Sequence, residues 1–177
     1  LHLSRLDAGM VEAHKEWMPT GDLLGRLAGE FRPQAAEKGL DLSMINTDLE
    51  VCSDPLLLER ILRNLMSNAI RYTERGRVLI GCRRRGATAS IEIWDTGIGI
   101  PPDQLGEIFC EFHRSHDRTH RTIEGFGVGL AVVDRLTTLL GHRIEVSSTP
   151  GKGTVFRIEG VPWRKRSNET ANGSPEV

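Results

Sequence analysis

The sequence predicts a two-layer α/β sandwich of the α+β type, in which helices cover one face of a mixed, mainly antiparallel sheet. Two observations lead to this fold class. Segments with helical periodicity alternate along the chain with pairs of strands close enough to form antiparallel hairpins. These strands place apolar residues at alternate positions, so one face of the sheet must be covered by a layer of helices.

The composition fits one medium-sized globular domain. Of the 177 residues, 38% are hydrophobic and 27% are charged, which is ordinary for a soluble protein. A net charge of −1 argues against a dedicated nucleic-acid-binding protein. The three cysteines form no CxxC pair, so we expect neither a disulfide framework nor a zinc ribbon, and we expect a cytoplasmic location. An upstream membrane segment would make the chain the cytoplasmic part of a membrane sensor.

The N-terminal elements follow from apolar spacing and turn residues. LHLSRLDAGM is predicted to be the end of a helix that stops at Gly9, and residues 1–19 are assigned to this helix end and a linker. A second helix is predicted over Thr20–Lys38, which Pro33 either bends or ends. The segment Leu40–Asn46 alternates between apolar and polar residues, which predicts a strand.

The next helix is predicted to begin at Asp54-Pro55, because aspartate is a good N-cap and proline is favoured at the first helical position. Its periodicity continues to about Tyr72. Two strands follow, at Arg77–Arg84 and Ala89–Trp94, and their alternation predicts a hairpin with one buried face.

The C-terminal half is predicted to contain two helices, a long polar loop between them, and a final hairpin. Residues 20–163 are assigned to the main domain, and the polar tail 164–177 is expected to be disordered because it lacks aromatic residues. The predicted elements are helices near Gln104–Phe109 and over Val128–Leu140, the second closed by Gly141, and strands Arg143–Ser148 and Gly153–Gly160.

The segment NLMSNAIRYT places polar side chains on the otherwise apolar helix that begins near Asp54. Arg60, Asn64, Asn68 and Arg71 recur at steps of four, four and three residues, which aligns them in one stripe. An exposed helix face is the simpler explanation. However, carboxamide oxygens are hard ligands that suit Mg²⁺, and guanidinium groups suit phosphates. The stripe therefore predicts a site for a metal-bound phosphate compound.

Two glycine-rich segments follow. In DTGIGIP, Asp95 ends an apolar strand, and its carboxylate could accept a hydrogen bond from an amino group such as that of adenine. An ordinary Asp-Gly turn is the alternative. In GFGVGL, three glycines precede a helix, whose free N–H groups can meet phosphates. This segment follows no strand and lacks the lysine of a P-loop, so Rossmann and P-loop sites are both excluded.

The polar loop between these segments carries more arginines than acids. The histidines His113, His116 and His120 could bind zinc only if the loop were a helix with a further ligand nearby. A basic lid over phosphates is the preferred interpretation. The arginines of the loop are Arg114, Arg118 and Arg121.

In this order, the motifs resemble the ATP-binding domain of sensor histidine kinases, which belongs to the Bergerat group of ATPases. NLMSNAIRYT looks like the N box of that family, DTGIGIP like its first glycine box, IFCEFHR like its F box and GFGVGL like its second glycine box. The segment TPGKGT is similar to the last hairpin of the family, and LSRLDAG to the end of the dimerisation hairpin that precedes the domain. The resemblance covers about Leu40–Val161.

The resemblance implies ATP and Mg²⁺ as cofactors and gives each motif residue a role. Asn68 would hold Mg²⁺ with support from Asn64, and Arg71 would contact the terminal phosphates where the family usually has lysine. Asn64 and Arg71 would be the catalytic residues. Asp95 would accept the exocyclic amine of adenine. The other residues implied at the nucleotide are Tyr72, Gly97, Gly99, Phe112, Arg114, Gly125, Gly127, Gly129, Leu130 and Thr154, with Phe109 and Phe112 anchoring the lid.

The resemblance also implies a division of labour. The phosphoacceptor histidine of the family lies on the first dimerisation helix, and neither His2 nor His14 has its context. The chain is expected to bind ATP and to donate the γ-phosphate to a histidine on the dimerisation domain, for relay to an aspartate of a response-regulator receiver domain. The alternatives are a Bergerat ATPase or serine kinase of the anti-sigma type, and a nucleotide-binding scaffold without catalysis.

Overall fold

The computed structural model describes residues 12–110 and 129–166, and within them it forms one sheet with three helices. The predicted helix end at residues 1–9, the polar loop and most of the predicted tail lie outside the described residues. The helices are α1 (Thr20–Glu37), α2 (Pro55–Tyr72) and α3 (Gly129–Leu139), and the strands are β1 (Glu16–Pro19), β2 (Asp41–Met44), β3 (Leu49–Ser53), β4 (Arg77–Arg85), β5 (Thr88–Asp95), β6 (Arg143–Thr149) and β7 (Gly153–Lys165).

The sheet is mixed and mainly antiparallel, as predicted. Its strand order is β1-β3-β7-β5-β4-β2, and β6 pairs with the first part of β7. The one parallel pair among the described strands is β2 with β4. Long β7 therefore organises the sheet, because β5 runs along one of its edges while β6 and then β3 occupy the other.

The core lies between the three helices and one face of the sheet. Ile80, Ile93 and Phe156 occupy matched register positions on β4, β5 and β7, and they are buried in the same cluster as the apolar stripes of the helices. Burial of each large apolar side chain contributes about 1.5–3 kcal/mol. The helices therefore cover one face of the sheet, which confirms the predicted two-layer arrangement.

The opposite face of the sheet is polar and is organised around Glu92, which is only 4% exposed. Its carboxylate accepts hydrogen bonds from Arg83 Nε at 2.7 Å and from the indole Nε1 of Trp94 at 2.9 Å. Burial alone would raise the pKa of Glu92, but hydrogen bonds from Arg83, Trp94 and Ser90 outweigh burial and lower the pKa. Both carboxylate oxygens of Glu92 therefore accept hydrogen bonds.

Helix α2 forms as the sequence predicts. Asp54 is its N-cap, since Oδ1 of Asp54 accepts a hydrogen bond from Leu57 N at 3.0 Å, and Pro55 occupies the first turn. Helix α3 is followed by Gly141 with a φ of 67°, a conformation that glycine adopts without strain. In α1, Pro33 does not end the helix, which continues to Glu37.

The structure corrects two local predictions and adds two strands. Residues 104–109 form successive turns instead of a helix, with hydrogen bonds such as Gln104 N to Pro101 O and Glu107 N to Gln104 O. The strand predicted at Leu40–Asn46 is limited to Asp41–Met44, where it can pair with β4. Strands β1 and β3 were not predicted at all.

Two further observations concern the ends of the predicted main domain. Strand β1 pairs with β3, so residues 16–19, which were assigned to the linker, belong to the sheet. Strand β7 continues to Lys165, and Arg164 and Lys165 pair with Glu50 and Leu49 instead of beginning a disordered tail. None of the described helices has the length and apolar character that a membrane span needs.

Candidate nucleotide site

The polar stripe of α2 is intact in the structure. Asn64, Asn68 and Arg71 are half-buried on one side of the helix, at successive turns. Four of the residues between them point into the core and are buried: Leu65, Met66, Ala69 and Ile70. Because these core contacts fix the rotation of α2 about its axis, Asn64, Asn68 and Arg71 all lie on the side of the helix away from the core.

Asn64 lies beside the start of α3. Its Nδ2 donates a hydrogen bond to the carbonyl of Arg60 at 2.9 Å, so this group is already paired within the helix. A Cβ atom built at Gly129 would lie 3.2 Å from Oδ1 of Asn64, which shows that this oxygen is directed toward the first turn of α3. The amide oxygen therefore faces the positive end of a helix, where an anion would be favoured.

The side chains of Asn68 and Arg71 make no hydrogen bond or ion pair with any described residue, although the backbone carbonyl of Arg71 accepts a hydrogen bond from Lys38. Both are nevertheless half-buried, which restricts their side chains. A half-buried amide and guanidinium whose side chains have no partners within residues 12–110 and 129–166 can bind an external ligand without breaking a hydrogen bond to this part of the protein. Within the described part of the chain, nothing competes with a metal ion or a phosphate for these two side chains.

Asp95 ends β5, and its two carboxylate oxygens are used differently. Oδ1 accepts hydrogen bonds from the backbone N–H groups of Gly97 at 2.8 Å and Thr154 at 3.2 Å. Oδ2 has no partner among residues 12–110 and 129–166. Burial raises the pKa of Asp95, and the two backbone hydrogen bonds oppose that rise. One oxygen thus fixes the side chain, which leaves the other as an acceptor.

The glycines of DTGIGIP are required by close backbone contacts. A Cβ atom at Gly97 would lie 2.3 Å from the carbonyl oxygen of Tyr72, and one at Gly99 would lie 2.3 Å from that of Thr149. Gly99 also has a φ of 73°. These contacts join the segment to the end of α2 and to the β6–β7 hairpin. The family resemblance implies that both glycines also line a base pocket, and that role stays a prediction.

Thr154 is 5% exposed and belongs to a hydrogen-bond network that the sequence did not predict. Its Oγ1 lies 2.8 Å from Oγ of Ser148, which also accepts a hydrogen bond from Ile100 N at 2.8 Å. Ser148 is the register partner of Thr154 in the β6–β7 ladder. Pairing across the TPGKG turn could have revealed Ser148, because cross-strand partners share one face of the sheet.

Tyr72 connects the helix to the glycine-rich segment. Its carbonyl accepts a hydrogen bond from Ile98 N at 3.1 Å, and its side chain is 40% exposed. From Asn64 to Tyr72 the helix advances about 12 Å, at about 1.5 Å per residue. The site is therefore an elongated strip that begins at α3 and ends near Asp95.

The remaining predicted site residues divide between the described and the undescribed parts of the chain. Phe112, Arg114, Gly125 and Gly127 lie outside the described residues, as do the three histidines of the loop. Leu130 is half-buried in α3 and packs against the core. Phe109 contacts Phe156 edge-on, with ring centroids 6.5 Å apart. The described residues contain no group of three or more His, Cys, Asp or Glu side chains that could hold a metal ion.

The family comparison agrees with the fold and the motifs. Residues 53–164 match the model of the family described as "Histidine kinase-, DNA gyrase B-, and HSP90-like ATPase". This match covers more than half of the chain and includes α2, DTGIGIP, α3 and the final hairpin.

Individual relatives are sensor proteins. The chain is 33% identical over 180 residues to autoinducer 2 sensor kinase/phosphatase LuxQ of Vibrio parahaemolyticus, which covers 97% of this chain and 21% of LuxQ. It is 29% identical over 161 residues to sensor histidine kinase RcsC of Escherichia coli K12, with 89% of this chain and 17% of RcsC covered. The chain thus spans about a fifth of the length of these two relatives.

Solved structures show the same fold. Full-length ShkA in complex with AMPPNP superposes with a TM-score of 0.80 at 28% identity, covering 93% of this chain and 35% of ShkA. The histidine kinase AdeS of Acinetobacter baumannii gives a TM-score of 0.70 at 23% identity, covering 89% of this chain and 73% of AdeS.

Proposed function

The chain belongs to the histidine kinase-, DNA gyrase B- and HSP90-like ATPase family, and we propose that it is the ATP-binding catalytic part of a sensor histidine kinase. The observation that carries this proposal is the arrangement of the α2 stripe between the start of α3 and Asp95. This strip offers a base-recognising carboxylate at one end and groups suited to phosphates at the other.

At the base end, the proposed role of Asp95 is to accept a hydrogen bond from the exocyclic amino group of adenine. Two backbone hydrogen bonds hold its Oδ1, so Oδ2 can be oriented toward a ligand without loss of an internal contact. The half-exposed ring of Tyr72 would flank the base. Gly97 and Gly99 would form the wall beside it, and Thr154 would reach the base directly or through water.

At the phosphate end, the proposed Mg²⁺ ligand is Asn68, with Asn64 supporting the ion or its waters. Their fit to this ion rests on oxygen chemistry, since Mg²⁺ prefers oxygen ligands and retains several waters. Once bound, Mg²⁺ would neutralise charge on the phosphates. The guanidinium of Arg71 would bind the terminal phosphates. Gly129 and Leu130, at the start of α3, would bring backbone N–H groups close to them.

The names of the relatives support a phosphotransfer role. We propose that the γ-phosphate passes to a histidine on the dimerisation domain of the same protein and then to an aspartate of a receiver domain, with the reaction taking place in the cytoplasm. Transfer depends mainly on positioning the acceptor in line with the γ-phosphate. LuxQ and RcsC are described as a sensor kinase/phosphatase and a sensor histidine kinase, which favours this role over a serine kinase of the anti-sigma type.

Calorimetric titration tests nucleotide recognition. We expect ATP to bind with one site per chain and more tightly when Mg²⁺ is present. GTP carries a carbonyl where adenine carries its amino group, so it would oppose a carboxylate and should bind much more weakly. Equal binding of ATP and GTP would contradict the proposed role of Asp95.

A further inference from the structure

The side chain of Lys38 reaches from the end of one helix to the end of another. Lys38 follows α1, yet its ammonium group donates hydrogen bonds to three carbonyl oxygens at the C-terminal end of α2. The distances from Nζ are 2.7 Å to Ile70, 3.0 Å to Arg71 and 3.0 Å to Thr73. These bonds use all three donors of the ammonium group.

The backbone of Lys38 is itself fixed. Its N–H donates to Ala35 O at 3.1 Å, and Gly39, which has a φ of 67°, donates to Ala36 O at 2.9 Å. Ala35 and Leu40 are buried, so the chain on both sides is anchored in the core. The backbone of Lys38 is thus held in place, which favours one direction for its side chain.

The last carbonyls of a helix lack partners within that helix, and a cation near them is favourable. In α2 these groups are paired from three sources. Lys38 accounts for three carbonyls, the hydroxyl of Thr73 binds Ala69 O at 2.7 Å, and Ile98 N binds Tyr72 O at 3.1 Å. The last turn of α2 is therefore held by α1, by its own cap and by the segment after β5.

We propose that Lys38 is a positioning residue of the nucleotide site, since it fixes the last turn of α2 and thereby the directions of Arg71 and Tyr72. This inference rests on the proposed nucleotide-binding function, because those two residues are its proposed phosphate and base contacts. Lys38 does not touch the nucleotide in this scheme. It orients the residues that touch the nucleotide, because its ammonium group holds the carbonyl groups of the backbone that carries them.

Three substitutions separate this role from simple stabilisation. Lys38→Met keeps the aliphatic stem but removes the charge and all three donors, whereas Lys38→Arg keeps both a charge and several donors. Lys165→Met is the matched control, because Lys165 is an exposed lysine at the far end of β7. For each variant we would measure the melting temperature, and the dissociation constant and stoichiometry of ATP·Mg²⁺ by calorimetry.

A spectroscopic probe reports the geometry directly. Tyr72 is the single tyrosine of the chain, so fluorotyrosine labelling gives one fluorine NMR resonance from the site. We expect Lys38→Met to shift or broaden this resonance and to weaken ATP binding about tenfold, as is typical when a partner that orients a ligand-binding group is lost. Lys38→Arg should recover most of the affinity, and Lys165→Met should match the unaltered protein.

The stoichiometry separates the explanations. Loss of folded protein alone lowers the number of sites per chain and leaves the dissociation constant unchanged, and that result for Lys38→Met would overturn the proposal. If Lys38→Met does not fold, the same measurements are made on Lys38→Gln, which keeps one donor group. The same outcomes then support or overturn the proposed role of Lys38. If the unaltered protein does not bind ATP, the proposed function fails. If it binds and the Lys38 variants bind equally well, only the role of Lys38 is refuted.

Discussion

Asp95 and Thr154 are register partners in the β5–β7 ladder, and the backbone N–H of Thr154 donates a hydrogen bond to Oδ1 of Asp95 at 3.2 Å. Together with the hydrogen bond from Gly97 N at 2.8 Å, this contact leaves Oδ2 as the oxygen that a ligand can reach. The fold therefore holds the Asp95 side chain in one orientation, with one carboxylate oxygen left for the proposed adenine contact.

Asp95→Asn is expected to abolish measurable ATP binding while the protein stays folded. The amide keeps an oxygen that can accept the backbone hydrogen bonds, but it presents an NH₂ donor toward the donor group of adenine. Calorimetric titration and thermal melting measure the two effects separately. Glu145→Gln, which neutralises an exposed acid on β6, is the control and should bind as the unaltered chain does. Normal ATP affinity of Asp95→Asn would refute the adenine assignment.

Asn68→Ala is expected to weaken ATP binding mainly in the presence of Mg²⁺. The side-chain amide makes no hydrogen bond to the described part of the protein. Its removal should therefore change the melting temperature by no more than about 2 °C. Titrations with MgCl₂ and with EDTA check this expectation. Asn46→Ala removes an exposed asparagine far from the strip and serves as the control. Equal weakening with and without the metal would mean that Asn68 does not act through Mg²⁺.

Arg71→Ala is expected to lower phosphotransfer at saturating ATP, because a guanidinium that holds the terminal phosphates contributes to their alignment. Arg71→Lys should retain more activity, since the ammonium still provides a charge at this position. Arg143→Ala, which removes an exposed arginine, is the control. If all three variants transfer phosphate at the same rate under saturation, Arg71 has no part in alignment.

Substitutions at Asp54 are expected to separate two roles of its carboxylate. Oδ1 caps α2 through Leu57 N, and Oδ2 accepts a hydrogen bond at 2.8 Å from the backbone N–H of His14, in the segment before β1. Asp54→Ala should cost about 1–2 kcal/mol of stability from loss of the cap, which is about 2–4 °C in melting temperature per kcal/mol.

Asp54→Asn keeps an oxygen for the cap and should therefore melt close to the unaltered protein. Because an amide has one acceptor oxygen, it cannot keep both contacts, and hydrogen exchange should become faster at residues 14–19 in both variants. Unchanged exchange there would show that Asp54 does not hold this segment.

His142 should make stability depend on pH between about 6.5 and 4. Burial, with a smaller effect of Lys15, lowers its pKa from 6.5 to about 4, and its Nε2 lies 2.9 Å from Oγ of Ser53. Within this range the unfolded chain binds a proton at His142 and the folded chain does not, so stability falls as pH falls. The loss should be on the order of 2 kcal/mol after allowance for screening.

Melting temperatures measured from pH 7 to pH 4.5 check this contribution. His142→Gln removes the titration but keeps a group that can bind Ser53, so its melting temperature should vary less over this range. The variant is needed because other histidines and acids also titrate. Identical pH dependence of the two proteins would exclude His142 as a source.

The sequence predicts elements whose signals are local. Helix α2 is an example, because Asp54-Pro55 marks its start and its apolar stripe defines the buried side. The β4–β5 hairpin is another, since Val78, Ile80, Ile91 and Ile93 alternate and are all buried. These signals depend on neighbouring residues, which is why α2 and its polar stripe lie where the pattern places them.

Elements that depend on distant pairing were missed. Strand β1 has four residues and ends in proline, and it is stabilised by pairing with β3, while β3 in turn pairs with the end of β7. The turns at residues 104–109 replace a predicted helix that contains Gly106, and glycine weakens a helix by about 1 kcal/mol. Lys38 makes its side-chain contacts with another helix, and no local pattern distinguishes it from an ordinary surface residue.

Transfer of radiolabel from the γ-phosphate of ATP tests most directly whether this chain is the ATP-donor part of a histidine kinase. The chain, Mg²⁺ and labelled ATP would be incubated with and without the separately produced dimerisation hairpin of the full-length protein. We predict acid-labile, base-stable label on the hairpin and none on this chain alone, because transfer needs an acceptor aligned with the γ-phosphate. Label on this chain alone, or no label on the hairpin although ATP binds, would contradict the proposal.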